Sequence, residues 1–101
     1  MALTKNQIKF LRGIAHGLRP TVLIGGNGLT PAVITELLST LETHELVKIK
    51  MNEGDREERA EMIEVMLELP GVEMVQKIGS TLVVYKEREE EPELKHELPR
   101  K

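Results

Sequence analysis

Between Pro20 and Pro31 the chain is punctuated so tightly that it can fold locally in only one order. Pro20 stops any helix before it from running on. Thr21-Val22-Leu23-Ile24 is an apolar, β-branched run suited to a strand. Gly25-Gly26-Asn27-Gly28 then makes a GxxG turn, and Thr30-Pro31 supplies an N-cap and a proline at the first helical position. A strand must therefore lead through a glycine turn into a helix. Glycines let the backbone come close to a ligand and tolerate φ > 0. The helix start beyond them adds unpaired N–H groups and the positive end of a dipole. Such a turn suits a phosphate.

The flanking segments read as further elements. Thr4-Lys5-Asn6-Gln7 fits a capping box, with Leu3 and Ile8 as its hydrophobic staple. Ile8, Leu11, Ala15 and Leu18 recur at helical spacing as a core face, and Gly17 is placed as C-cap. After the glycine turn, Val33, Ile34, Leu37, Leu38 and Leu41 form the apolar stripe of a second helix ending near His44-Glu45. Val47, Ile49 and Met51 alternate with Lys48 and Lys50, which predicts a half-exposed strand with both lysines on one face. Asp55-x-x-Glu58 opens a third helix with Ala60, Ile63, Met66 and Leu67 toward the core, ended by Pro70-Gly71. Val72–Ile78 and Thr81–Lys86 flank Gly79-Ser80, a two-residue type II′ hairpin. Residues 87–101 are acidic, contain Pro92 and Pro99, and lack periodicity, so a disordered tail is expected there. The order helix-strand-helix-strand-helix-strand-strand predicts a single α/β domain over residues 1–86. Its core is a small mixed four-stranded sheet packed by helices.

Charge is distributed unevenly. The formal net charge is −3, yet the chain carries Lys5, Lys9, Arg12 and Arg19 before its first acidic residue, Glu36. Lys5, Lys9, Arg12 and His16 step by four, three and four, which aligns them on one helix face. Exposed charges act over roughly 8 Å at physiological salt, so a local patch outweighs the total. A phosphate-accepting turn beside an acid-free basic segment points to a nucleic-acid backbone. Phe10 and Tyr85 are the only aromatic residues, too few for the base-stacking platforms of RNA-recognition or OB-type modules. The expected grip is on backbone and shape. The absence of cysteine fits a reducing compartment, and no apolar run approaches the roughly 20 residues of a membrane span, so the expected location is the cytoplasm.

Leu11-Arg12-Gly13-Ile14-Ala15-His16, Leu18-Arg19-Pro20, Gly25-Gly26-Asn27-Gly28-Leu29 and His44-Glu45-Leu46-Val47-Lys48-Ile49-Lys50 together resemble the CRM domain. The likeness is closer still to its single-domain bacterial YhbY-type members, and it extends over about residues 1–86. The resemblance implies an RNA-binding module associated with precursors of the large ribosomal subunit. It also implies a fold similar to the C-terminal domain of bacterial translation initiation factor three. The family's conserved loop maps onto Gly25, Gly26, Asn27 and Gly28, and its basic surface onto Lys5, Lys9, Arg12 and Arg19. The acidic extension after Lys86 departs from the pattern.

Several positions have two readings. The glycine loop is either a phosphate contact or only a tight strand-to-helix turn. Lys48 and Lys50 are either RNA contacts or edge-strand charges that discourage aggregation. His16 and His44 lack metal-ligand spacing, no Cys accompanies them, and His16 follows the basic stripe as a possible phosphate donor. No catalytic constellation and no Walker-type lysine emerges, so neither an enzyme nor a cofactor or metal is expected. The leading expectation is a monomeric protein that holds structured ribosomal RNA, with Lys5, Lys9, Arg12, His16, Arg19, Gly25 through Gly28, Lys48 and Lys50 at the interface. The alternatives are a small nucleotide- or anion-binding regulatory domain using the same loop, and a pure protein-interaction module.

Overall fold

The caps written into the sequence set where the helices begin. In the computed structural model, which describes residues 3–100, Thr4 Oγ1 accepts from Gln7 N at 3.1 Å and Gln7 Oε1 accepts from Thr4 N at 2.9 Å. This reciprocal pair opens α1 (Lys5–His16). Thr30 Oγ1 caps Val33 N at 3.2 Å to open α2 (Pro31–His44), and a second capping box through Asp55 and Glu58 opens α3 (Arg56–Glu68).

The strands are β1 (Val22–Ile24), β2 (Leu46–Met51), β3 (Glu73–Ile78) and β4 (Thr81–Tyr85), in the sheet order β1-β2-β4-β3. β1 and β2 are parallel, while β4 runs antiparallel to both β2 and β3. Gly79 takes φ 54 in the two-residue hairpin between β3 and β4, the backbone that position needs. The element order, the mixed four-stranded sheet and the α/β class are those expected from the sequence.

Alternation in β2 divides the core between two faces. Val47, Ile49 and Met51 pack with Val22, Ile24, Leu82 and Val84 beneath Leu37 and Leu41 of α2 and Ile63 and Met66 of α3. Full burial of each such side chain contributes roughly 1.5–3 kcal/mol. On the opposite face Leu46, Val75, Val83 and Tyr85 pack against Leu11 and Ala15 of α1. Leu3 and Ile8, the expected staple, border this second cluster.

Three local expectations are corrected. Leu18 lies beyond α1 and is 37% exposed, because the helix ends at His16 before the next apolar step can turn inward. Ala60 is exposed, since the opening turns of α3 are satisfied by their own capping box and do not rest on the sheet; Met62 joins the core periphery instead. Lys48 and Lys50 do not protect an edge, because β2 is paired on both sides and the edges are β1 and β3.

The largest difference lies after residue 86. Over residues 87–100 the expected disordered tail is instead a folded strap with a 3₁₀ turn at Leu94–His96. Its organiser is Glu45, the residue after α2, which is 1% exposed and has φ 60. Glu45 Oε1 accepts from Glu93 N at 2.8 Å and Leu94 N at 3.0 Å, and Oε2 accepts from Arg88 N at 3.0 Å. Arg88 also donates to the carbonyls of Glu42, Thr43 and Glu91, covering the end of α2. Leu94 and Leu98 then close over the α1 side of the core, and Gln7 Nε2 donates to Pro99 O at 2.9 Å. Burial pushes the Glu45 carboxyl up, but the amides of Arg88, Leu94 and Glu93 and the Arg88 charge outweigh it, so its pKa falls below the ordinary value.

Candidate nucleic-acid interface

α1 turns its apolar side to the sheet and the opposite side to solvent, so its helical spacing delivers Lys5, Lys9, Arg12 and His16 to one flank. That flank faces the part of the sheet α1 leaves uncovered. Between them lies a groove of about 840 Å³, walled by those four side chains. Its floor is supplied by Lys48, Gln76, Ile78, Thr81 and Val83. No carboxylate lines it. Lys48 is fixed by donating from Nζ to Leu18 O at 3.1 Å, which ties the floor to the chain leaving α1.

Strand register explains why these floor residues meet. Lys48 pairs with Val83 and Val83 with Gln76, while Lys50 pairs with Thr81 and Thr81 with Ile78. Lys50 thus lies one step along the same sheet face, between Leu23 and Thr81, but outside the groove lining. Arg19 is exposed in the connection to β1 and also lies outside it.

The glycine loop belongs elsewhere. Gly28 N donates to Gly25 O at 3.0 Å, closing a tight turn, and Gly28 holds φ 70, a conformation costly for a side-chain-bearing residue. Asn27 is exposed at the tip. Gly25, Gly26 and Gly28 line a separate hollow together with Glu53 from the turn before α3 and Glu58 and Glu61 from the first part of that helix. The Glu53 carboxylate lies so close over the turn that a methyl group at Gly26 would come within 2.5 Å of its Oε2. Stripe and loop therefore do not share one concavity, and the loop's immediate neighbours are acidic.

The sequence residues brought together are thus Lys5, Lys9, Arg12, His16 and Lys48. Gln76, Ile78, Thr81 and Val83 were not singled out from the sequence. Parity alone puts Thr81 and Val83 on one strand face, but which helix that face meets depends on strand order. Chemically, the groove offers several cations along a helix and an amide and a hydroxyl on its floor, with nothing that repels an anion. It suits a chain of phosphates better than a single one.

Proteins similar to this chain share nearly its whole length. An RNA-binding protein of Haemophilus influenzae is 42% identical over 99 residues, covering 98% of this chain and 97% of that protein. The probable RNA-binding protein YqeI of Bacillus subtilis is 34% identical over 97 residues, covering 96% of this chain and 99% of YqeI. A probable RNA-binding protein of Pseudomonas aeruginosa is 36% identical over 86 residues, with coverage of 85% and 83%. The solution structure of a hypothetical protein from Staphylococcus aureus superposes with a TM-score of 0.79 at 36% identity, over 97% of this chain and 100% of that one. The profile of the CRS1/YhbY (CRM) domain matches residues 3–86, which hold α1, the glycine loop and all four strands; with relatives this similar over nearly their whole length, the chain belongs to the CRS1/YhbY (CRM) domain family.

Proposed function

We propose that this protein binds structured RNA along the α1 groove and acts by binding, without catalysis. The observation that carries the reading is the groove itself: Lys5, Lys9, Arg12, His16 and Lys48 converge on it and no acidic side chain lines it. Relatives over nearly the full chain are named RNA-binding proteins. The family resemblance further suggests that the RNA belongs to precursors of the large ribosomal subunit, met in the cytoplasm by a protein acting as a monomer. Among the described residues no helix is long and apolar enough to cross a membrane. Lys50 and Arg19 lie where they would widen the contact beyond the groove.

The test is salt dependence. With about four phosphates neutralised, log K should fall against log salt with a slope of roughly −3. A slope near zero would remove the electrostatic model. A single small nucleotide held at the glycine loop would give a shallow slope, and the three carboxylates around that loop disfavour such a site.

For the loop to touch the same RNA, the Glu53 carboxylate must leave Gly26. Glu53→Gln removes the charge with little change in shape, and Glu53 is exposed, so the fold should be unaffected. RNA affinity is expected to rise about two- to fivefold at low salt, the scale of one exposed charge contact. Unchanged affinity in a binding titration would take the loop out of the interface.

A further inference from the structure

One rung of the sheet crosses all four strands on the α1 side. Leu23 pairs with Lys50, Lys50 with Thr81, and Thr81 with Ile78. Its two ends are large aliphatic side chains left in the open, with Leu23 58% and Ile78 63% exposed. The rung spans three inter-strand gaps, about 14 Å at the usual strand spacing. The next rung, Lys48-Val83-Gln76, lies in the groove beneath the basic flank of α1. An isolated exposed aliphatic residue is unremarkable. Here two sit on one rung that enters the acid-free basic groove at Ile78 and Thr81 and continues beyond it through Lys50 to Leu23.

Phosphates explain the cations but not the apolar shelf. In a base-paired helix the faces of the bases are hidden in the stack, and only grooves and backbone are offered to a protein. Unpaired nucleotides offer flat apolar faces together with free hydrogen-bonding edges. A surface with cations along one side and an aliphatic shelf along the other matches that second chemistry.

Resting on the RNA-binding reading above, we propose that the groove takes a short unpaired stretch of RNA. Its phosphates run along Lys5, Lys9 and Arg12, and its bases lie on the Leu23–Ile78 rung. Ile78 and Leu23 do with aliphatic contact what aromatic side chains do in other single-strand binders. Thr81 and Gln76 face the base edges from the floor. The Gln76 amide both donates and accepts, so it can discriminate between bases where the phosphate contacts cannot.

The experiment compares one fluorescein-labelled RNA of about 12 nucleotides, single-stranded or annealed to its complement, a length within the usual range of single-strand sites. Proteins tested are the wild type, Leu23→Ser with Ile78→Ser, and Lys9→Glu. All three positions are exposed, and circular dichroism with a thermal melt checks that each variant is folded. The wild type should prefer the single strand by about fivefold or more, and the serine pair should lower single-strand affinity about tenfold. Duplex affinity and salt slope should stay as in the wild type, since phosphate contacts are intact. Equal wild-type binding to strand and duplex overturns the proposal, as does a serine pair that binds both like wild type, which would leave the shelf to a protein partner. An equal loss on both RNAs overturns it too. Failure of the underlying reading looks different: the wild type then binds neither RNA, or Lys9→Glu binds both unchanged.

Discussion

Lys9→Glu combined with Arg12→Glu is expected to abolish measurable RNA binding at physiological salt while leaving the protein folded. Both side chains project from α1 into the groove, and neither belongs to the buried core. Exposed substitutions of this kind usually change stability by no more than about 0.5 kcal/mol. Losing two cationic contacts flattens the salt slope by about 1.5, and two carboxylates now repel the same phosphates. The combined loss should reach about a hundredfold or more near 0.1 M salt. It should be similar for RNAs of different sequence, because phosphate contacts carry little sequence information. A titration showing wild-type affinity in the folded double variant would remove α1 from the interface.

Glu45→Ala is expected to be the most damaging single change to stability. Three backbone amides that now donate to the carboxylate would lose their acceptor, and the strap over Leu94 and Leu98 would lose its anchor. Unsatisfied buried donors cost about 1–3 kcal/mol each, and partial access to water as the strap loosens limits the total to roughly 3 kcal/mol. For a domain of this size that lowers Tm by more than about 10 °C. Glu45→Gly should recover part of the loss relative to alanine, because glycine adopts φ 60 without strain. The same carboxylate makes stability depend on pH. Its pKa is lowered in the folded state, so its contribution is complete above the ordinary value of 4.5 and is lost as pH falls below that through the folded value. Melts at neutral and acidic pH should show a steeper acid loss for wild type than for Glu45→Gln. Equal acid profiles would detach the strap from this charge.

Much of the framework was readable from the chain because it is local. Thr4, Thr30 and Asp55 cap the helices they were expected to cap, and Gly79 turns the hairpin. The basic flank of α1 follows from spacing alone. What escaped depends on partners far along the chain. A glutamate between a helix and a strand reads as a solvated residue, and the amides that bury Glu45 come from Arg88, Glu93 and Leu94, more than 40 positions later. Residues 87–100 look featureless because two leucines suffice to dock them once that acceptor exists. Likewise, alternation put Lys48 and Lys50 on one face, but only strand order could reveal that β2 is central and that Lys48 floors a groove. The glycine turn formed as written, while its acidic cover came from Glu53, Glu58 and Glu61 across a gap no short-range pattern spans.

The strap also orders events during synthesis. Chains grow from the N-terminus at about 5–20 residues per second, and domains generally fold as units. When Glu45 leaves the ribosome, the amides that will receive its charge have not been made. Until residues 88–94 follow, that carboxylate accepts hydrogen bonds from water in place of those amides, and the cluster around Leu11 and Tyr85 stays uncovered on one side. A nascent chain stopped before that point should remain loose and open to proteases, whereas the chain carrying the strap closes in a single late step.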